Sequence, residues 1–177
     1  MTVNTPALDG EPQAGRTPVK DAYQTHEQYW SPHSEDFSIP VDPFKIATEL
    51  GIKVATAALG EKEDGSLEYT ASGPVIFVNE AHYPSRQRFT CAHEIGHYID
   101  QKNRGIEKPS YRDKNASTGR EPEEIYANRF AAALLMPKFL VEKFHASGMD
   151  ILEMARKFKV SEASMRWRLV NLSLVNS

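Results

Sequence analysis

The stretch Cys91-Ala92-His93-Glu94-Ile95-Gly96-His97 governs how the rest of the chain is read. Its His93, Glu94 and His97 form the His-Glu-x-x-His arrangement of a zinc hydrolase. In a helix of 3.6 residues per turn, side chains four apart share a face, so the two imidazoles can grip one tetrahedral ion. Glu94 then stands to one side of the ion, where it can take a proton from an acidified water and pass it to a leaving group.

A helix is supported here independently of the motif. Pro84 and Ser85 suit a helix start, and apart from Gly96 no breaker follows until after Asp100. Ala92, Ile95 and Ile99, at i, i+3 and i+7, make an apolar stripe for the core. Gly96 costs about 1 kcal/mol relative to alanine in a helix, so a close approach by metal or neighbouring backbone is expected to offset it. Cys91 projects to another face and is read as a small packed residue. Asp100 shares the histidine face one turn on, where it can accept a hydrogen bond from an imidazole or end the helix in solvent.

Two histidines and a base leave the site one ligand short. The segment Glu124-Ile-Tyr-Ala-Asn-Arg-Phe-Ala-Ala-Ala-Leu-Leu-Met-Pro137 is a strong helix former closed by its proline. Glu124 and Asn128 share a face, so the carboxylate can bind metal while the amide orients a ligand histidine. Glu123 points about 100° away and competes for the role; spacing alone leaves both open.

These two runs, His-Glu-Ile-Gly-His and Glu-x-x-Ala-Asn-x-Phe-Ala-Ala-x-Leu-Leu-Met-Pro, in this order, resemble the ImmA/IrrE family of zinc metallopeptidases over about Ile39 to Val175. The resemblance implies that His93, His97 and Glu124 are ligands and that Glu94 is the catalytic base. Glu124 is favoured over Glu123 because the family's glutamate stands four residues before the asparagine. It also implies an α+β, zincin-like single domain, with a small antiparallel sheet against the active-site helix and C-terminal helices beyond. Proteins of this kind cleave a partner repressor of the helix-turn-helix type, relieving repression in phage, mobile-element or stress-response circuits. One Zn2+ is the expected cofactor, with manganese or another divalent ion as the alternative.

The whole chain has 177 residues, net charge −3 and one cysteine. That length can bury a real core as one domain. With a pI near 6.1 there is no overall basic field to attract nucleic acid. A lone cysteine makes no internal disulfide and suits a reducing cytoplasm; no stretch reads as an export signal or membrane span. Residues 1–38 are read as a flexible or loosely packed segment, with Met1 to about Lys20 a tail and Tyr23, Tyr29, Trp30 and Phe37 able to pack. His26 and His33, in this segment, lack ligand spacing. Residues 39–177 form the expected peptidase domain. Asp42 and Pro43 open a helix to Leu50, ended by Gly51. Ile52–Ala58, Leu67–Ala71 and Val75–Val78 read as strands. Gly73 to Val78 is the candidate edge strand for pairing with a substrate backbone, its competing reading being ordinary core strand.

Arg104 to Glu121 reads as a long loop bordering the cleft, with Lys108, Arg112, Lys114 and Arg120 available to an acidic substrate. Tyr98, Tyr126, Arg129 and His145 are candidates for oxyanion stabilisation. Residues 150–172 read as a helix-turn-helix-like part, basic through Arg156, Lys157, Lys159, Arg166 and Arg168. Two readings from other classes follow: a DNA-binding regulator using these helices, with Arg166 and Arg168 as contacts, or a toxin-antitoxin component that acts by binding. The apolar surface of Met165, Trp167, Leu169, Val170 and Leu172 favours a packed structural role, so direct nucleic-acid binding is not expected.

Overall fold

The computed structural model describes residues 16–30, 39–60, 63–105 and 122–176. In chain order the elements are α1 (Pro18–Tyr29), α2 (Pro43–Glu49), β1 (Lys53–Ala57), β2 (Gly65–Thr70), β3 (Gly73–Asn79), α3 (Pro84–Asn103), α4 (Pro122–Leu135), α5 (Lys138–Ala146), α6 (Ile151–Phe158) and α7 (Glu162–Asn171). This is the expected α+β class. The local signals act as read: the Asp42 carboxylate accepts from the Phe44 amide at 3.0 Å with Pro43 opening α2, and Gly51 ends it at φ +80°.

The sheet is mixed rather than antiparallel, in the order β1-β3-β2. β2 and β3 form an antiparallel hairpin, but β1 runs parallel to β3 with Ala57 opposite Asn79. The connection from β1 to β2 crosses the end of β3 instead of turning back on itself. Buried Asn79 fastens that crossing, its amide donating to the Glu63 carbonyl at 2.9 Å and to the Gly60 carbonyl at 3.4 Å. Consequently Gly73 to Val78 is the central strand, paired on both sides, and has no free edge for a substrate. Its unbroken apolar run Val75-Ile-Phe-Val78 suits a strand covered on both faces.

α4 is the axis of the core. From Phe130 to Met136 every residue is at most 1 % exposed, as expected of a helix that is apolar all round. α3 packs against it closely enough that a Cβ on Gly96 would come within 3.0 Å of Ala127 Cα and 3.2 Å of Phe130. The missing side chain is thus matched to a neighbouring backbone.

α1 covers the other side of α4. It starts inside the stretch read as a tail: Thr17 caps it by accepting from the Lys20 amide at 3.1 Å, and Pro18 takes the first position. Ala22 is fully buried and Tyr29 and Trp30 pack on the core, so the aromatic residues override the polar composition. Phe37, His33 and most of the expected tail lie outside the described residues. Among the described residues His26 has no metal-binding partner; it is buried, with Nε2 donating to the Leu134 carbonyl at 2.8 Å. Arg168 from α7 acts likewise two residues on, donating from Nε to the Met136 carbonyl at 3.1 Å.

α6 and α7 make the expected helix-turn-helix outline. Asp150 and Glu153 form a capping box, Lys159 takes the left-handed conformation at φ 52°, and Ser161 caps α7. Arg168, however, is 2 % exposed and committed to the core, so it cannot serve as a DNA contact. Arg166 is exposed and lies 3.7 Å from Glu162.

Candidate metal centre

α3 presents His93 and His97 on one face, as the spacing requires, with ring centroids 4.6 Å apart. Their Nε2 atoms are 3.0 Å apart. α4 enters from the side, with Glu124 Oε2 3.3 Å from His93 Nε2 and Oε1 3.2 Å from His97 Nε2. Ligands about 2.05 Å from a tetrahedral ion stand about 3.3 Å from one another, so the three groups already have the spacing of a coordination sphere. Each offers a donor atom towards the same space, a set that a metal cation fits. Side-chain exposures of 15 %, 17 % and 22 % leave the cluster open to solvent. Among the described residues this is the group of histidine, cysteine and carboxylate side chains able to hold a metal ion.

The supporting contacts set the protonation. His93 Nδ1–H donates to Asn128 Oδ1 at 3.1 Å, so Nε2 faces the cluster, donating to Glu124 when the ring is charged and offering a lone pair when it is neutral. Burial works against a charge on His93, but the hydrogen bond to Glu124 and the charges of Glu94 and Glu124 outweigh it and raise its pKa. Hydrogen bonds from His93 and His97 hold the Glu124 carboxyl well below the ordinary range, so it is ionised. Glu94 is 8 % exposed. Burial raises its pKa, against the pull of His93 and His97.

β2 borders the site along α3. In its ladder with β3 the hydrogen-bonded pairs include Asp64 with Asn79. By alternation, Gly65, Leu67 and Tyr69 turn their backbone groups away from β3. The Leu67 N–H accordingly reaches the Glu94 carboxylate. Gly65 lies so close to α3 that a Cβ there would meet Thr90 at 2.4 Å, and Tyr69 Oη donates to Gln101 at 2.9 Å. Sequence reasoning took Leu67 only as the start of a strand and gave Gly65 no role. Leu67 acts through its backbone, which leaves no residue-type signal.

Other candidates fall elsewhere. Glu123 pairs with Arg104 at 3.2 Å and is half exposed, whereas Glu124 lies against the two histidines. Asp100 also pairs with Arg104, at 3.0 Å, instead of with an imidazole. Cys91 is fully buried, as read. Tyr126 gives its hydroxyl to Asp21 at 2.5 Å, and Arg129 lines a small crevice with Val19 and Trp167. His145 is on α5. Tyr98 follows His97 directly. Lys108, Arg112, Lys114 and Arg120 lie outside the described residues.

The profile of the IrrE N-terminal-like domain, a peptidase family, matches residues 47–170. The chain is 34 % identical over 99 residues to the radiation response metalloprotease IrrE of Deinococcus radiodurans, covering 54 % of this chain and 30 % of that protein. To the protein of the same name from Deinococcus deserti it is 32 % identical over 123 residues, 67 % of this chain and 43 % of that one. The chain thus spans less than half the length of these relatives. An uncharacterized immunity region protein 2 of Bacillus phage phi105 is 25 % identical over 103 residues, 58 % of this chain and 63 % of that one. Among solved structures, a Mycobacterium tuberculosis transcriptional regulator shares the fold, with TM-score 0.61, 18 % identity, and coverage of 86 % of this chain and 46 % of that one.

Proposed function

Because the chain belongs to the peptidase family of the IrrE N-terminal-like domain, we propose that it is a zinc-dependent endopeptidase cleaving a partner transcriptional repressor of the helix-turn-helix type. The observation that carries this reading is the convergence of three ligand atoms, 3.0 to 3.3 Å apart, beside a buried carboxylate. His93, His97 and Glu124 would hold the ion, and Asn128 would keep His93 in the ligating tautomer. A divalent ion there supplies Lewis acidity for the carbonyl and for water. Glu94 is the base in this reading: burial has lifted its pKa, so it can take the proton of the attacking water and deliver it to the amine released from the peptide bond. The Leu67 amide holds that carboxylate in place. The open edge of β2, not β3, is the strand available to a substrate backbone, since among the described residues no strand pairs with its outer side.

A repressor substrate is supported by the family resemblance and by the phage relative, which is named for an immunity region. Action in the cytoplasm belongs to the same reading; no helix among the described residues is long and apolar enough to cross a membrane. The test measures metal content and cleavage together. Wild type should hold near-stoichiometric zinc, His93→Ala and Glu124→Ala should lose it, and Glu94→Gln should keep it while cleavage of a repressor encoded nearby falls roughly 100- to 10,000-fold. Zinc-free wild type, after zinc has been supplied, would refute the reading.

A further inference from the structure

Asp21, in α1, is 4 % exposed. Its Oδ2 accepts from Tyr126 Oη at 2.5 Å and from Asn103 Nδ2 at 3.2 Å, and Oδ1 lies 3.5 Å from the Arg16 guanidinium. Tyr126 is two residues past Glu124 near the start of α4, while Asn103 is the last residue of α3, the helix that carries both histidines. One buried oxygen therefore joins the two helices whose relative placement sets the ligand triangle. A carboxylate buried this deeply is tolerated only if its partners stay in place, so the joint is stiff. The other tie at this end, Arg104 to Glu123, is half exposed and correspondingly weak.

Gly96 against Ala127 and the His93–Asn128 hydrogen bond hold α4 on α3 further along the helix. Asp21 adds a buried tie near the start of α4. We propose that Asp21 is a positioning residue for the metal site: through Tyr126 and Asn103 it locks the first turns of α4 over α3 and so holds Glu124 against His93 and His97. The inference rests on the metallopeptidase reading. It also makes α1 a working part of the site, although α1 lies before the residues 47–170 that the family profile matches.

The test measures zinc affinity of the full chain by competition with a chromophoric chelator, with thermal melts of the metal-free proteins beside it. Tyr126→Phe, which removes only the hydroxyl, should weaken zinc binding roughly 10- to 100-fold. Asp21→Ala should do the same, and Asp21→Asn, whose amide oxygen can still accept from Tyr126, should recover much of the loss. Arg168→Met, which removes a buried contact at the far end of α4, should keep wild-type zinc affinity. Wild-type affinity in Tyr126→Phe would overturn the proposal, as would an equal loss in Arg168→Met, which marks general loosening. A wild type that binds no zinc would instead overturn the peptidase reading, and this inference with it.

Discussion

Replacing Gly96 with alanine would test whether the approach of α3 and α4 sets the metal site. The added Cβ would stand 3.0 Å from Ala127 Cα and 3.2 Å from Phe130 Cβ and Cδ1. Carbon atoms rest about 3.5 to 4.0 Å apart, so the closest contact is short by about 0.5 Å. Two of the three atoms belong to backbone or to a Cβ and cannot rotate away, so α4 must move by a few tenths of an ångström. Glu124 is one turn from Ala127 on that helix and moves with it, whereas metal–ligand distances tolerate only about 0.2 Å. Stability and affinity should separate. Overpacking costs about 1 to 3 kcal/mol, of which alanine's better helix propensity returns about 1, leaving a net loss of about 0 to 2 kcal/mol. Zinc affinity should fall roughly tenfold or more. Chelator competition and urea unfolding of the metal-free protein measure the two. A Gly96→Ala protein that binds zinc as tightly as wild type and unfolds at higher urea would refute the close-approach argument.

Two more expectations concern the capping of α4. Burial lowers the His26 pKa to about 4, despite the hydrogen bond to Leu134. An unfolded histidine titrates near 6.5, so its contribution is fully present above about pH 6.5 and is lost as pH falls towards 4, where the folded protein also takes up the proton. Between pH 7 and 4.5 this amounts to about 2.5 kcal/mol. His26→Gln keeps a donor for Leu134 without titrating, and should lose that much less stability over the same interval; equal losses in the two proteins would discount the buried neutral imidazole. Arg168→Met should cost about 1 to 3 kcal/mol by leaving the Met136 carbonyl unpaired, while exposed Arg166→Ala should stay within about 0.5 kcal/mol. A reversed order in their melting temperatures would mean that Arg168 is not a cap.

What could be read from the sequence follows the range of the interactions involved. The metal helix, its two histidines and Glu94 are one to four residues apart, within reach of helix periodicity. Caps at Asp42, Asp150 and Ser161 are equally local. Asn128 was recognisable because it lies four residues from Glu124. The sheet was harder: its strands were recognisable, but their order depends on Asn79 gathering a crossing loop whose ends lie 16 and 19 residues away. Of the two readings left open for Gly73 to Val78, edge strand and core strand, the second is the one found, in keeping with the apolar run Val75-Ile-Phe-Val78 suited to cover on both faces. α1 was missed because a polar composition concealed few but well-placed buried residues, Ala22 and His26 among them.

By itself, then, the sequence determined the chemistry on α3: two imidazoles and a carboxylate whose geometry is inherited from the helix. Family resemblance added Glu124, but its separation from Glu123 in space, one towards the histidines and the other paired with Arg104, was settled by how α4 lies on α3. The same holds for the open edge of β2 beside Glu94, the burial of Arg168 and the joint at Asp21, whose partners Asn103 and Tyr126 are 82 and 105 residues away. Helix geometry repeats over four residues and can be read along a chain. Contacts across such distances exist only once the core has closed, because burial, not spacing, chooses which groups must satisfy one another.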